Sequence, residues 1–535
     1  MKAFLIVLSA CLLLYFPGLS SVPFYTRGEP REALVAREMI TTGDWLVPSR
    51  PDGELTRKPP LFYWAAAATT AILPDRPELA ARLPSALLAT AGVLVTWAVG
   101  RAAFGGAVAL PAALVLATSL EWLRAGTIAR VDMALAAGTT LLLGAWLLAL
   151  ARGRPRPDGT VLATGIAGAT MATLAKGPVA LALPGLVVVT LMAIRRDWSL
   201  LRRLGVVPIL VVAGLLAALW YGAAFAKHGW AFFDIVAKEN WLRFVDSEDA
   251  GTGHSHGALY LPLVGLVGFL PWTPLLPLAI APAADRDRRA EAVTLLVCWT
   301  VVILLFFSAA DAKRSVYLLP IFPALALLLG LGVDRPPGAG WLPGLTRAGS
   351  ALYPLLFAGL GAGALALASG LDVVALVRPW LKPRDAQNTM ALVAVTRDAA
   401  VPLLALGLGA LVAAGLAARA RRGSDWRGLV GIVAVLTVAW SAGIGHWIRP
   451  PLGRAASLEP FMQQVDRLLP ADATLRATWQ PDAGLRFYAP RPLLPWKATD
   501  QGPAFLLLWE DERRQLRDPD GAPLPPIATS EARQS

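Results

Sequence analysis

Residues 4–16 read FLIVLSACLLLYF and residues 25–44 read YTRGEPREALVAREMITTGD. An unbroken apolar run gives way, within a few residues, to a stretch dense in charge and bounded by helix start and stop signals. The same alternation recurs along the chain: apolar runs of about 20 residues, the span of a bilayer's hydrocarbon core, separated by short polar connections. Of the 535 residues, 56% are apolar and only 16% charged, with a mean hydropathy of +0.55. A soluble domain of this length would bury a large core yet carry about 25% charged residues. The pattern is that of an all-α polytopic membrane protein.

Thirteen candidate spans follow: about 3–20, 78–99, 105–121, 132–151, 159–175, 177–194, 204–226, 258–280, 290–308, 314–333, 350–370, 399–419 and 427–446. Alternate connections are arginine-rich, namely RGRPR (152–156), RRDWSLLRR (195–203), DRDRR (285–289) and ARARRGSDWR (418–427). The positive-inside rule assigns these to the cytoplasm, which puts the N-terminus inside and the C-terminus outside. Lys2 with its short apolar run also fits a cleaved signal peptide. The small-residue site near GLSSV (18–22) is imperfect, and residue 25 emerges on the outer side under either reading. The net charge of +12 is dispersed between spans and forms no stripe, so nucleic acid is excluded as its explanation. Cys11 and Cys298 lie inside apolar segments and have no metal-ligand spacing or expected disulfide.

The tail after residue 448 differs in composition. SLEPFMQQVDRLLP reads as an amphipathic helix, TLRATW and AFLLLWED as short strands, and GLRFYAPRP as a helix or turn followed by another strand. The expectation is a membrane domain over 1–448 and a small extracytoplasmic α/β domain over 449–535, its last residues disordered. A core of this size would lean on the membrane part.

Within 25–44, Pro30 suits a first helical turn, Glu29 suits the positive N-terminus and Gly43 suits the stop. Ala33, Leu34, Ala36 and Ile40 form one face, with Arg31, Glu32, Arg37 and Glu38 largely on the other. Such a helix is expected to lie along the membrane surface, followed by Trp45, Tyr63 and Trp64 in the interfacial belt. The bland reading is an anchor with solvated charges. Against it stands the company on the same side: Glu29, Asp44, Arg57, Lys58, Asp132, Lys176, KENWLRF (238–244), GHSH (253–256) and DAKRSVY (311–317). Ionisable groups in or near spans cost about 2.5–3.5 kcal/mol each at a helix centre. Several cations with a few carboxylates imply a shared anionic ligand at the interface, and a lipid phosphate suits lysine and arginine.

GEPREALVAREM (28–39), GDWLVP (43–48), RKPPLFYW (57–64), RVDMALA (130–136), LAKGPVALALP (174–184), KENWLRF, LVGFLPWTPLLP (266–277) and FFSAADAKRSVYLLPIFPALALLLG (306–330) occur in one order over about residues 5–333. This series resembles the bacterial aminoarabinose transferases that modify lipid A. These are grouped with protein O-mannosyltransferases among the polyprenyl-phosphate-sugar-dependent enzymes of GT-C fold. The resemblance implies sugar transfer from a polyprenyl-phosphate-linked donor to a lipid, glycan or protein acceptor at the outer membrane face, with inversion and with no required cofactor. It also implies that Lys58, Lys176, Arg243, Lys313 and Tyr317 bind the donor phosphate, with Arg57 and Arg314 as additions. Glu29 is the first choice of base, then Asp132 and Asp44. Two departures stand out. The family usually has an Asp-Glu pair where this chain has Gly28-Glu29, and often an acid where it has Arg57. A metal contact at that second position is therefore in doubt.

Each residue has a plainer reading. Asp44 caps the turn after Gly43, Arg243 snorkels, and Lys313 and Arg314 merely flank a span. His254 and His256 are compatible with a divalent ion but also with an ordinary loop. The alternative function is a lipid-linked sugar flippase or other transporter, which would line a midplane path with charge. The last three spans are nearly free of ionisable groups, which disfavours it.

Overall fold

The computed structural model describes residues 1–26, 28–239, 256–280, 290–338, 340–371, 379, 396, 398–470, 472–478, 481–496, 504–508, 526 and 528–529. The first half of the chain forms α1 (Lys2–Tyr15), α2 (Gly28–Thr42), α3 (Leu61–Ile72), α4 (Pro77–Phe104), α5 (Gly106–Thr118), α6 (Leu120–Gly126), α7 (Asp132–Arg152), α8 (Gly159–Lys176) and α9 (Val179–Arg195). Among the described residues, eight helices are long and apolar enough to cross a membrane: Pro77–Phe104, Asp132–Arg152, Val206–His228, Ala290–Ala309, Ser315–Asp334, Leu342–Ala368, Ala400–Arg422 and Trp426–Ala456. The number is ten if each of two bent pairs counts as one span. The protein is a multi-pass helical membrane protein, and its described residues supply eight to ten of the thirteen spans expected. The segments at 3–20 and 177–194 form helices of 14 and 17 residues, short of the bilayer's core. The Gly- and Thr-rich helix over 159–176 is not apolar enough to count.

The bent pairs are α5 with α6, at 65°, and Tyr260–Gly268 with Thr273–Ile280, at 102°. Broken helices free backbone groups that the hydrocarbon cannot satisfy, so they persist only where protein supplies partners. Here the two breaks serve each other. Leu120 donates its N–H to the Leu270 carbonyl (2.8 Å), and the Trp272 indole donates to Thr118 Oγ1 (3.0 Å). The Tyr353 hydroxyl donates to the Pro271 carbonyl (2.8 Å).

Helices α7 and α8 pack backbone to backbone. A β-carbon on Gly138 would lie 2.7 Å from the Ala172 nitrogen, and one on Gly168 2.6 Å from the Leu142 nitrogen. Only glycine permits this approach, as in other small-residue crossings of membrane helices. The antiparallel pair is joined through the arginine-rich connection at 152–158. Its opposite end therefore brings the start of α7 (Asp132) beside the end of α8 (Lys176), about 30 Å away by helix length.

The helix, strands and turn expected in the tail all form. Strands β1 (Thr474–Ala477), β2 (Leu493–Pro495) and β3 (Ala504–Leu507) make a parallel sheet in the order β2-β1-β3. Parallel neighbours require crossovers, and the link from β1 to β2 carries the helix Ala483–Tyr488, capped by Asp482 on the Leu485 N–H (3.0 Å). The helix Glu459–Leu468 contributes Met462 and Val465 to the small core with Leu475, Ala477, Leu485 and Leu507.

This lobe sits on α2. Phe487 packs into the cluster of Phe24, Leu34, Val35, Met39 and Phe62. The Phe24 N–H donates to the Tyr488 hydroxyl (2.7 Å), which donates to Glu78 Oε1 (2.7 Å). Helix α2 is thus covered by α3 and by the tail. It does not rest as an open amphipathic anchor, because aromatic surface from the far end of the chain takes its apolar face.

Candidate active site

Six ionisable residues on five segments meet at the end of the bundle opposite the arginine-rich connection at 152–158. The Lys176 ammonium donates to Asp132 Oδ1 at 2.5 Å, and both side chains are largely buried. Lys176 Nζ also lies 4.4 Å from the centre of the Tyr317 ring, a cation–π contact. Lys58 and Arg130 are within electrostatic reach of Asp132. Lys58 in turn lies 3.8 Å from Glu32 Oε1. One continuous network therefore joins α2, the 57–60 segment, α7, α8 and the turn carrying Tyr317.

Glu32 is the unexpected member. It is 3% exposed, where sequence reasoning had set it among the solvated charges of α2. Arg31 Nη2 donates to Oε1 (2.9 Å) and the Tyr63 hydroxyl to Oε2 (2.6 Å). Burial acting alone raises the carboxyl's pKa. Lys58, Arg31 and the Tyr63 hydrogen bond overcome it and hold the group at about 2, below its ordinary 4.5. Tyr63 is consequently a buried donor and not part of an interfacial belt; Trp45 is the exposed aromatic of that stretch.

Glu29 occupies a different setting from the one expected of a base. It is 1% exposed and pairs with Arg82, whose Nε reaches Oε1 at 2.7 Å and Nη2 reaches Oε2 at 3.2 Å. The Ala129 N–H also donates to Oε1 (3.2 Å). Arg82 further donates to the carbonyls of Leu19 and Val22. With both carboxylate oxygens engaged, the pair acts as a clamp that fixes the chain between α1 and α2. Sequence reasoning missed Arg82 altogether. The signal was present: an arginine within the apolar ELAARLPSALL (78–88) is costly unless partnered.

Asp44 matches its plainer reading. Its carboxylate accepts from the Leu46 and Val47 N–H groups (3.1 and 3.4 Å) and from Lys227 Nζ (2.6 Å), closing the turn after α2. The Trp64 indole donates to the Trp45 carbonyl and the Trp220 indole to the Leu46 carbonyl, which pins the same turn. Lys313 is 5% exposed and donates to the His256 carbonyl (2.7 Å), bracing the segment before Tyr260. Arg57 is exposed beside Lys58, and Arg314 precedes the Tyr317 turn. Arg243 and His254 lie outside the described residues. The His256 ring stacks on Tyr260 at 4.1 Å. Another pair missed from sequence is Glu121–Arg124, which also binds Ser315 (Oγ to Glu121 Oε1, 3.0 Å) and ties α6 to the Tyr317 turn. An apolar cavity of about 400 Å³, lined by Pro17, Pro402, Leu406, Ala439, His446 and Trp447 among others, lies apart from these groups.

Gly28, at the family's usual aspartate position, faces Arg130. A β-carbon there would stand 2.5 Å from Arg130 Nη2. The Arg130 Nε is buried without a hydrogen-bond partner.

Residues 57–221 match the family of dolichyl-phosphate-mannose-protein mannosyltransferases. Over 348 residues the chain is 32% identical to an undecaprenyl phosphate-alpha-4-amino-4-deoxy-L-arabinose arabinosyl transferase of Pectobacterium carotovorum, covering 64% of this chain and 59% of that relative. With the enzyme of the same name from Erwinia tasmaniensis it is 32% identical over 400 residues, 72% of this chain and 68% of the relative. The chain thus spans under two thirds of the length of some of these relatives. The crystal structure of ArnT from Cupriavidus metallidurans bound to undecaprenyl phosphate superposes with a TM-score of 0.72 at 25% identity, over 93% of this chain and 86% of that one. With a 32% identical relative matched over 68% of its length, and the same helical architecture throughout, the chain belongs to the undecaprenyl phosphate-aminoarabinose arabinosyl transferase family, of GT-C fold.

Proposed function

We propose that this protein is a membrane glycosyltransferase that moves a sugar from a polyprenyl-phosphate donor to a lipid, glycan or protein acceptor at the outer face of the cytoplasmic membrane, with inversion. The observation that carries the reading is the meeting of Lys58 and Lys176 with Asp132 and Tyr317 at one end of the bundle. A relative of the same fold binds undecaprenyl phosphate. In this reading residues 1–448 form the transferase part and 449–535 an extracytoplasmic lobe. The arginine-rich connection at 152–158, at the other end of α7 and α8, supports that orientation.

In the transfer, the bond between the anomeric carbon and the phosphate oxygen breaks, and the oxygen keeps the electron pair. The acceptor oxygen forms the new bond on the opposite face and loses its proton. A phosphodiester thereby becomes a monoester carrying more negative charge. Cations already placed where that charge develops lower the barrier without reorganising at the moment of reaction. Lys58 and Lys176 supply this charge, with Tyr317 lining the site. Arg243, Lys313, Arg57 and Arg314 are further donor-phosphate candidates.

A phosphate that draws Lys176 toward itself weakens the Lys176–Asp132 pair and leaves Asp132 as the proton acceptor for a hydroxyl. General-base assistance of this kind is worth roughly 10²–10⁴-fold. A phosphate acceptor would need no base, and Asp132 would then only hold Lys176. Glu29 serves as a clamp through Arg82, and Asp44 as a turn cap.

The test supplies purified protein in lipid with radiolabelled polyprenyl-phosphate sugars and scores release of free polyprenyl phosphate. Wild type is expected to turn over at least one donor, and Lys58→Ala and Lys176→Ala to lose that activity while staying folded. No release from any donor, or full activity in both variants, would overturn the reading.

A further inference from the structure

The network contains one carboxylate that the mechanism has not used. We propose that Glu32 is the positioning carboxylate of this site: it holds the Lys58 ammonium and the Arg31 guanidinium toward the donor phosphate. This deepens the transferase reading and rests on it.

Three observations carry it. First, one Glu32 oxygen gathers both cations: Arg31 Nη2 donates to Oε1 at 2.9 Å and Lys58 Nζ lies 3.8 Å from the same atom. Second, the space a side chain at 28 would fill is taken by Arg130, whose Nη2 would stand 2.5 Å from a β-carbon there. A carboxylate at 28 would meet that guanidinium directly. With glycine at 28, Arg130 keeps a buried Nε unpartnered and lies within reach of Asp132. Third, the charges around Glu32 are layered. The Glu32 side chain is 4% exposed, whereas its cationic neighbours Lys58 and Arg31 are 19% and 41% exposed. The anion lies beneath and the two cations above it, turned toward the open side where a phosphate would bridge them.

A plain staple between α2 and α3 would need only the Tyr63 hydrogen bond to Glu32 Oε2. It gives no reason for the other oxygen to gather Arg31 and Lys58. Glu239 also draws Arg31, so the front of the KENWLRF segment shares this side of α2. Hydrogen-bonded to Glu32, the guanidinium keeps its planar fork oriented, which suits phosphate recognition.

The experiment measures undecaprenyl phosphate binding, donor turnover and thermal stability side by side, in lipid nanodiscs, for wild type, Glu32→Gln and Glu32→Asp. Glu32→Gln is expected to slow turnover about 100-fold, the scale of losing an oriented group, and to weaken binding of undecaprenyl phosphate. The loss of a mere staple would lower stability without changing undecaprenyl phosphate binding per folded molecule. Should Glu32→Gln fail to fold, Glu32→Asp keeps the charge but withdraws it by one methylene from Lys58, and reduced turnover is expected. Wild-type turnover and binding in Glu32→Gln or Glu32→Asp, alongside an inactive Lys58→Ala, would overturn this inference and leave the transferase reading standing. Wild-type protein that neither binds undecaprenyl phosphate nor releases it from any donor would overturn both.

Discussion

Lys176 and Asp132 stand at opposite ends of their helices in sequence sense, the last residue of α8 and the first of α7, yet their charged atoms are 2.5 Å apart. The glycine crossing at Gly138 and Gly168 lets the two helices run close enough for this. Packing far inside the bundle thus determines whether the pair at its mouth can form.

Removing one partner alone strands the other as a buried charge. Asp132→Ala is expected to destabilise the protein by about 3 kcal/mol, and Asp132→Ala/Lys176→Met to recover much of that loss. Thermal unfolding in lipid, followed by tryptophan fluorescence, measures the cycle. Additive single and double variants would mean that the pair contributes nothing to folding.

The Glu29–Arg82 clamp makes a different demand. Arg82 satisfies a carboxylate and two carbonyl oxygens at once, which requires the guanidinium's several donors. Arg82→Lys is therefore expected to destabilise nearly as much as Arg82→Ala, about 3 kcal/mol. Glu29→Gln is expected to lower the melting temperature while leaving turnover per folded molecule within about threefold of wild type. An activity loss of the size general-base removal brings, roughly 10²-fold or more, with unchanged stability would return Glu29 to the chemistry.

Much of this was legible in the sequence. Asp132, Lys176 and Lys58 stood out because ionisable groups beside apolar spans need a reason, and the apolar runs themselves gave the helical membrane fold. The tail's helices and strands followed from local periodicity and turn residues. The choice between Glu29 and Glu32 was not legible. It depends on which α2 face is covered, and the cover includes Phe487, distant in sequence. The strand order β2-β1-β3 was hidden for the same reason, since nothing local says which strand takes the centre. The span count was less legible: apolar length alone cannot reveal that 3–20 and 177–194 form helices of only 14 and 17 residues, or that α5–α6 and the 260–280 segment break and satisfy each other's backbones.

The charge on Glu32 makes stability depend on acid. Its folded pKa of about 2 lies below the ordinary 4.5, so the folded state binds its proton more weakly. The contribution is complete above about pH 4.5 and is lost as pH falls toward 2; it amounts to about 3 kcal/mol. Glu32→Gln removes this dependence. The melting-temperature gap between wild type and Glu32→Gln is expected to hold from pH 6 to about pH 4.5 and to narrow from there to pH 3. A gap that is constant over this range would show that the carboxylate gains nothing from Lys58 and Arg31.

The tail's hold on α2 gives the last prediction. Phe487 enters the α2 cluster beside Phe24 (ring centres 5.0 Å apart), and Arg37 lies over its face at 4.3 Å. Beside it, Tyr488 joins the Phe24 N–H to Glu78, at the start of α4. Phe487→Ala removes a large aromatic from a packed cluster, a change that costs about 3 kcal/mol, whereas Tyr488→Phe removes hydrogen bonds worth about 1 kcal/mol each. Both losses fall on the helix that carries Glu29 and Glu32. Hydrogen exchange is therefore expected to rise across residues 28–42 in both variants, more in Phe487→Ala, with α7 and α8 unchanged. Donor turnover is expected to fall in the same order, because α2 positions the Glu32 side of the network. Faster exchange confined to residues 459–508, with α2 still protected and turnover intact, would mean that the lobe merely rests on the helix and takes no part in ordering the site.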